Sequence, residues 1–266
     1  MNTDRFPKRI VCMTEETVET LYLLGEDHRI VGISGFTVRP PQARKEKPKV
    51  SAFTSAKIDK ILNLKPDLVL GFSDLQADIA RELIAQGIEV HIFNHRSVND
   101  ILDMIKRLGY LVGAVQKTDD LVAQLERRVE VIANRMSVFS VRPKVYFEEW
   151  YEPIITGIRW VSELVNIAGG TDCFPEKAGQ ALGKDRIVAD PLEVARRMPD
   201  IIIGSWCGRR FRPQSVKERV GWQDVPAVRD QQVFEIKSAI ILQPGPAALT
   251  DGLDALTEIV SGWHNR

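Results

Sequence analysis

Short aliphatic runs along this chain alternate with stretches in which apolar residues recur every three or four positions. The runs Ile30–Ser34 and Val90–Phe93 are typical of buried parallel strands, and the stretches between such runs are typical of amphipathic helices. The alternation begins with a predicted strand at Arg9–Met13 and a helix that stops at Gly25. The pattern predicts an α/β protein assembled from repeated strand and helix units.

One phrase of the sequence occurs twice. Residues 65–72 read Lys-Pro-Asp-Leu-Val-Leu-Gly-Phe, and residues 198–205 read Met-Pro-Asp-Ile-Ile-Ile-Gly-Ser. In each copy a proline ends a helical stretch, and the aliphatic run that follows predicts a buried strand. The duplication predicts two Rossmann-like lobes, each with its ligand-binding loops at the carboxyl ends of parallel strands. We expect the two loop-bearing edges to face a shared cleft.

A single long helix is predicted between the two copies. Apolar residues keep helical spacing from a Thr118 cap to Ser137 without any glycine or proline, which corresponds to a rod of about 30 Å. We therefore expect an N-terminal α/β lobe at residues 1–116, a connecting helix at residues 117–140 and a C-terminal α/β lobe at residues 141–266. We also expect an extended loop from Val38 to Val50, a strand that stops at Phe147 and a final helix from about Ala247 to Trp263.

Composition narrows the functional classes. The 36 basic residues balance the 36 acidic residues of the 266-residue chain, so no overall field attracts nucleic acid or an anionic membrane. No window approaches the roughly 20 apolar residues that cross a bilayer, so we expect no membrane insertion. The three cysteines form no CxxC pair, which predicts free thiols. The amino terminus shows no signal peptide, so we expect a cytoplasmic protein, or a periplasmic one if a leader was removed.

Catalytic motifs are absent from the sequence. No GxGxxG, P-loop, GxSxG or HExxH pattern occurs, so no motif supports nucleotide binding, serine-hydrolase activity or zincin-type metalloprotease activity. No catalytic residue is assigned. The candidate residues are instead those that immediately follow the predicted strands, where a ligand would meet each lobe. The candidate ligand contacts are Glu15, Glu16, Phe36, Arg39, Phe53, Phe72, Ser73, Asp74, His95, Glu149, Trp150, Tyr151, Arg159, Trp206, Cys207 and Arg210.

Each candidate also has a plain structural interpretation. The phenylalanines and tryptophans suit a flat apolar macrocycle, but they can equally pack in the core of their own lobe. The carboxylate pairs Glu15–Glu16 and Glu148–Glu149, which we place at corresponding positions of the two lobes, could hold a cation or cap the following helix. Arginines 209 and 210 could bind anionic substituents of a ligand or remain solvated. No metal site is assigned, and the candidate metal ligands are Glu15, Glu149, His95 and Cys207.

Several segments of the chain resemble a known family. They are Arg9-Ile-Val with the helix Glu16-Thr-Val-Glu-Thr-Leu, Ile30-Val-Gly-Ile-Ser, Pro40-Pro-Gln-Ala, Ile58-Asp-Lys-Ile-Leu with Lys65-Pro-Asp-Leu-Val, and Leu83-Ile-Ala-Gln-Gly-Ile-Glu-Val. Together they are similar to the solute-binding proteins of ABC importers for cobalamin, haem and ferric siderophores, and most similar to the cobalamin binders. The resemblance covers nearly the whole chain and implies two α/β lobes joined by one long helix, as in periplasmic binding proteins.

The resemblance also implies the function. We expect a non-catalytic, monomeric protein that needs no cofactor and holds a small metal-bearing ligand in the cleft between its lobes. The expected ligand is cobalamin or another corrinoid, ahead of haem or a ferric chelate. The protein would either serve an ABC permease or act as a stand-alone binder. Phe36, Phe53 and Phe72 fall where the cobalamin binders place aromatic contacts.

Two departures from the family leave a second interpretation open. The family carries an export signal, which this chain does not show. The family also docks on its permease through one acidic residue on each lobe, where this chain has Ala77 and Leu242, with Asp78 as the nearest carboxylate of the first. The alternative is a cytosolic enzyme or sensor that handles a metal or tetrapyrrole on the same fold.

Overall fold

The computed structural model describes residues 5–266, and the chain divides into two compact units. Unit 1 runs to His95 and includes Asn99–Leu125, whereas unit 2 consists of Arg96–Val98 and Glu126–Arg266. The two-lobed organisation therefore agrees with the duplicated phrase, and the boundary falls inside the long helix. The finer domain limits given above stay a prediction.

Unit 1 contains a five-stranded sheet in which every pairing is parallel. The strand order is β3-β2-β1-β4-β5. The strands are β1 (Ile10–Cys12), β2 (Ile30–Ser34), β3 (Lys49–Ser51), β4 (Leu68–Phe72) and β5 (Val90–Phe93). Successive strands are added on one side of β1 up to β3 and on the other side from β4 onward, so the strand order switches between β1 and β4. In parallel α/β sheets, ligands bind at the carboxyl ends of the strands at such a switch point.

The helices of unit 1 pack on this sheet. They are α1 (Glu15–Leu23), α2 (Pro41–Glu46), α3 (Ile58–Asn63), α4 (Ala77–Ala85) and α5 (Val98–Leu111), the last of which begins in the short segment assigned to unit 2. The core below α3 and α4 is aliphatic and includes Val11, Met13, Ile61, Val69 and Leu83. Outside the segment 38–50, the predicted strand and helix order of this half is confirmed.

The expected extended loop from Val38 to Val50 is wrong, because the segment contains α2 and β3. Proline at position 41 fits the first turn of a helix, where its missing N–H costs nothing. Ala43 is fully buried beneath this short helix, and β3 then extends the sheet beside β2. The segment is mostly polar and only one residue of α2 is buried, so the sequence shows no amphipathic pattern from which these two elements could be predicted.

The predicted long helix exists as α6 (Val115–Met136), which has 22 residues and is about 33 Å long. It begins earlier than expected, shortly after α5 ends at Leu111, and Gly113 in the turn between the two helices has a φ of 77°. Thr118 is therefore inside the helix and does not cap it, since its hydroxyl donates 2.7 Å back to the carbonyl of Ala114. The prediction of one unbroken helix is confirmed, and the prediction of its cap is wrong.

Unit 2 contains a mixed sheet of order β10-β9-β6-β7, with β8 also pairing with β6. The strands are β6 (Lys144–Tyr151), β7 (Ile154–Thr156), β8 (Thr171–Asp172), β9 (Ile201–Gly204) and β10 (Val233–Glu235). Strands β6, β9 and β10 are parallel, and β7 is antiparallel to β6. The strand that we expected to stop at Phe147 thus continues through the candidate residues Glu149, Trp150 and Tyr151.

The helices of unit 2 are mostly short. They are α7 (Arg159–Ile167), α8 (Pro175–Ala178), α9 (Leu192–Arg197), α10 (Pro213–Lys217), α11 (Pro226–Arg229), α12 (Ser238–Ile241) and α13 (Leu253–His264). A π-helical stretch, Ala248–Gly252, precedes α13 where we predicted a regular helix. At Gly252 a Cβ would lie 2.2 Å from the carbonyl oxygen of Ile240, so only glycine permits this approach. Across residues 5–266, no helix combines the length and apolar character that crossing a bilayer requires.

The duplicated phrase adopts the same local structure in both units. Lys65 and Met198 both have left-handed backbones, with φ of 46° and 52°, so in each copy a left-handed residue stands between the end of the helix and the proline. Asp67 then accepts the backbone N–H of Arg9 at 2.9 Å, and Asp200 accepts that of Lys144 at 2.8 Å. The aspartate of each copy therefore fixes the start of the neighbouring strand, β1 in unit 1 and β6 in unit 2.

Candidate functional site

The strand register shows which residues of the two units correspond. Leu70 pairs with Cys12 in unit 1, and its counterpart Ile203 pairs with Phe147 in unit 2. Counting onward, Met13 corresponds to Glu148, and Glu15 corresponds to Trp150. The expectation that Glu15–Glu16 and Glu148–Glu149 occupy corresponding places is wrong by two residues, because β6 continues past the point at which β1 ends.

The ligand edge of unit 1 carries three phenylalanines of graded exposure. Phe72 is buried at the end of β4, Phe53 is 37% exposed and Phe36 is 58% exposed. The ring of Phe72 lies between two others, with centroids 6.5 Å from Phe53 and 4.9 Å from His95, the latter edge to face. The structure thus brings Phe53, Phe72 and His95 together, and it leaves Phe36 on the loop after β2.

Gln76 holds this edge together, and sequence reasoning missed it. Its side chain is fully buried, accepts the backbone N–H of Phe72 at 2.9 Å and donates to the carbonyl of Phe53 at 2.8 Å. Ser73 stands beside it with φ of 65° and accepts the N–H of Leu75 through its hydroxyl. Asp74 follows in an exposed 3-10 turn. The close approach of Gln76 requires Gly71, where a Cβ would lie 2.5 Å from Gln76 Oε1.

The acidic end of α1 is buried. Glu15 and Glu16 are almost completely inaccessible, and burial raises the pKa of each to about 7. Glu15 Oε2 accepts the N–H of Val38 at 2.7 Å, and Glu19 pairs with Arg39 at 3.1 Å. These contacts tie the loop that bears Phe36 to α1, so the carboxylates have a positioning role in addition to their place in the first turn of the helix.

The ligand edge of unit 2 carries what we term the aromatic step, formed by Trp150, Tyr151, Trp206 and Phe211. Successive ring centroids are separated by 5.1, 4.5 and 4.9 Å. Trp206 is 7% exposed, whereas Trp150 and Tyr151 are partly exposed and pack against the core of the unit. The step lies at the carboxyl ends of β6 and β9, the edge that parallel α/β units use for ligands.

A buried ion pair supports the aromatic step. Glu148 is completely buried and accepts hydrogen bonds from Tyr146 at 2.9 Å, from the indole N–H of Trp206 at 3.0 Å and from Arg219 at 2.5 and 2.9 Å. The bidentate arginine neutralises the carboxylate, and the indole bond fixes the Trp206 ring. Glu148 therefore positions an aromatic residue, and Arg219, which sequence reasoning missed, makes that arrangement possible.

Glu149 has a second arginine as its partner. Arg186 is 2% exposed and places Nη2 at 2.9 and 2.8 Å from the two carboxylate oxygens. Burial raises the pKa of Glu149, and Arg186 works in the opposite direction. Because the arginine already occupies both oxygens, the pairing favours a structural role for Glu149 within unit 2.

The remaining candidates of unit 2 are more exposed. Arg159 opens α7 and pairs with Glu163 at 2.8 Å, while Cys207 and Arg210 are exposed in the loop after β9. Within residues 5–266, no group of three or more histidine, cysteine, aspartate or glutamate side chains is arranged to hold a metal ion.

Glycine at the end of the second phrase also shapes the aromatic step. At Gly204 a Cβ would lie 1.9 Å from Cε2 of Phe211, so the ring of Phe211 lies directly on the backbone of β9. The equivalent glycine of unit 1, Gly71, admits Gln76. The seventh residue of the repeated phrase is therefore glycine in both copies, because a side chain that supports the ligand edge crosses the strand at that point in each unit.

Comparison with known proteins places this arrangement in context. The family model described as periplasmic binding protein matches residues 10–240. An uncharacterized ABC transporter substrate-binding lipoprotein of Bacillus subtilis is 25% identical over 263 residues, which cover 96% of this chain and 80% of that protein. The vitamin B12-binding protein of Vibrio parahaemolyticus is 25% identical over 247 residues, covering 91% and 86%.

Solved structures show the same fold. A periplasmic haem-binding protein from Pseudomonas aeruginosa superposes with a TM-score of 0.82 at 20% identity, over 96% of this chain and 93% of that one. At this level of identity the likeness concerns the fold, which confirms the α/β class predicted from the alternating pattern.

Proposed function

This chain belongs to the periplasmic binding protein family, and we propose that it captures a corrinoid for an ABC importer. The family resemblance noted in the sequence is confirmed by the match over residues 10–240, and the relatives are substrate-binding proteins, not enzymes. The chain is accordingly a solute-binding protein, and the enzyme alternative finds no support among them. The identity of the solute is our proposal.

The aromatic step is the observation that carries the proposal. Its rings follow one another at 5.1 and 4.5 Å from Trp150 to Trp206 and offer a stepped apolar surface at the ligand edge. Aromatic side chains bury large areas with few rotatable bonds, which suits the rigid, flat ring of a corrinoid. The phenylalanine edge of unit 1 offers a second surface of the same character. The vitamin B12-binding relative supports a corrinoid ahead of other macrocycles.

Haem and ferric chelates are the other candidates. The haem-binding protein of Pseudomonas aeruginosa shares the fold, and a porphyrin would stack on the same rings. The four candidate metal ligands stay a prediction, and our proposal does not require any of them, since a corrinoid brings its own cobalt.

The partner and location follow from the family in the same proposal. We infer that the chain delivers its solute to an ABC permease outside the cytoplasm; the Bacillus subtilis relative, which is named an ABC transporter substrate-binding lipoprotein, supports this inference. Ala77 opens α4 and Leu242 directly follows α12. Asp78 is exposed and lies 3.6 Å from Arg81, so the acid nearest Ala77 is accessible to a partner.

Calorimetric titration with cyanocobalamin, cobinamide, haem and a ferric chelate tests the proposal. We expect saturable binding of the corrinoids, weakened about 5- to 150-fold by Trp150→Ala or Phe72→Ala, because anchoring aromatic residues contribute about 1–3 kcal/mol. Trp263→Ala, in the last turn of α13, is the matched control and should leave the affinity unchanged. Absence of any corrinoid signal, with binding of haem or ferric chelate instead, would overturn the corrinoid assignment.

A further inference from the structure

The arginines of unit 2 differ in their partners. Seven have a carboxylate partner, namely Arg128, Arg159, Arg186, Arg196, Arg197, Arg219 and Arg229. Arg209, Arg210 and Arg212 are exposed on the loop that follows β9, and no described carboxylate lies within ion-pair distance of them. The acid near this loop, Glu235, accepts the N–H of Phe211 at 3.4 Å and pairs with Lys237. The loop therefore presents uncompensated positive charge.

Arg209 is held against the aromatic step. Its guanidinium carbon lies 5.8 Å from the ring centroid of Trp150 and 5.7 Å from that of Tyr151, and Nη1 donates 2.5 Å to the Tyr151 hydroxyl. These partners orient the cation through ring faces and a neutral oxygen, so they do not cancel its charge. The charge is thus fixed in position beside the rings that our proposed function assigns to the ligand.

We propose that Arg209 determines specificity by selecting flat ring ligands that carry carboxylate or phosphate groups at their edge. This inference rests on the proposed function, since it assigns the charge preference of the same site. A ring that stacks on Trp150 would bring its edge substituents to the guanidinium, which forms paired, charge-assisted hydrogen bonds to such groups. A neutral ester or amide at that edge would gain only the stacking contact.

Planarity distinguishes arginine from lysine at this position. A guanidinium can stay stacked on the rings while its edge binds an oxyanion, whereas an ammonium acts as a compact, strongly hydrated point charge. We therefore expect Arg209→Lys to keep part of the preference for anionic ligands and Arg209→Ala to lose most of it. Arg210 lacks the aromatic partners, so Arg210→Ala should have the smaller effect.

Pairs of ligands that share one ring and differ only in the charge of their substituents measure the contribution of that charge to binding. Dicyanocobyrinic acid and its heptamethyl ester share one corrin ring and differ in their carboxylates, and haemin and its dimethyl ester form the same pair on a porphyrin. Binding is measured by quenching of tryptophan emission at low and high salt. We expect each acid to bind about ten-fold more tightly than its ester at low salt, as for a partly exposed charge-assisted contact, and the ratio to fall at high salt.

The variants assign the effect to one residue. Arg209→Ala should reduce the acid-to-ester ratio to below about three while changing ester binding much less than acid binding. Arg229→Ala is the control, because it removes one exposed cation from the same unit, at α11, and should leave the ratio unchanged.

The outcomes separate the two proposals. Equal binding of acid and ester for both rings, or an unchanged ratio in Arg209→Ala, overturns the role of Arg209 and leaves the corrinoid assignment standing. A charge preference seen with the porphyrin pair and no binding of either corrin supports the role of Arg209 and overturns the corrinoid assignment. Failure of all four ligands to bind overturns both.

Discussion

Removing the Glu148 carboxylate should destabilise unit 2 far more than removing a surface carboxylate. Glu148 is completely buried and accepts hydrogen bonds from three side chains, Tyr146, Trp206 and Arg219. Glu148→Ala leaves the arginine charge and the indole N–H without their partner. Breaking a buried ion pair from one side costs about 3–5 kcal/mol, so we expect a loss of that size in the free energy of unfolding.

Guanidinium denaturation followed by circular dichroism and tryptophan emission measures this loss. Asp230→Ala is the control, because it breaks the exposed pair with Arg229 and should cost only about 0–1 kcal/mol. The double variant Glu148→Leu with Arg219→Met should be more stable than either single variant, since no charge is then left buried and unpaired. A loss below about 1 kcal/mol in Glu148→Ala, with native emission from Trp206, would refute the role assigned to this ion pair.

Two further predictions concern stability. The pKa of Glu15 and of Glu16 is raised to about 7 from 4.5, so the stability that these two groups contribute should be greatest below about pH 4.5 and should fall, by at most about 3 kcal/mol per group, as the pH rises to about 7. Unfolding titrations should show that Glu15→Gln with Glu16→Gln flattens this part of the pH dependence, and an unchanged slope would contradict it. Gly204→Ala should displace Phe211 and lower the free energy of unfolding by about 1–3 kcal/mol in thermal or chemical unfolding. Gly179→Ala is the control and should leave the stability unchanged, because a Cβ at that position meets nothing within 4 Å. Equal stability of the two variants would contradict the packing of Phe211 across β9.

Local pattern was sufficient to predict much of the fold. The aliphatic runs at β2, β5 and β9 and the helical spacing of α6 are signals contained within a few residues, so strands and helices could be placed before the structure was known. The repeated Pro-Asp phrase identified the two units, because proline ends a helix and aspartate fixes the next strand in both copies. The short helix α2 escaped prediction since its burial involves one alanine.

The residues that hold the aromatic side chains of the candidate site in place could not be predicted from the local sequence pattern. Glu148 and Glu149 indicated the end of a strand, because acidic residues are rare inside a sheet, yet β6 continues through them. Arg219 and Arg186 neutralise these carboxylates from 71 and 37 positions away along the chain. Gln76 is similarly polar and unremarkable in sequence, and only the packing of Phe53 and Phe72 shows its role. Long-range pairing of this kind requires the folded structure.

The central claim is that the aromatic edges bind a corrinoid, and native mass spectrometry with metal analysis of the protein purified from its source tests it most directly. We expect a bound species with the mass of one corrinoid and one cobalt atom per chain, released on unfolding. A protein that instead carries haem iron, a ferric chelate or a bare metal ion would contradict the claim.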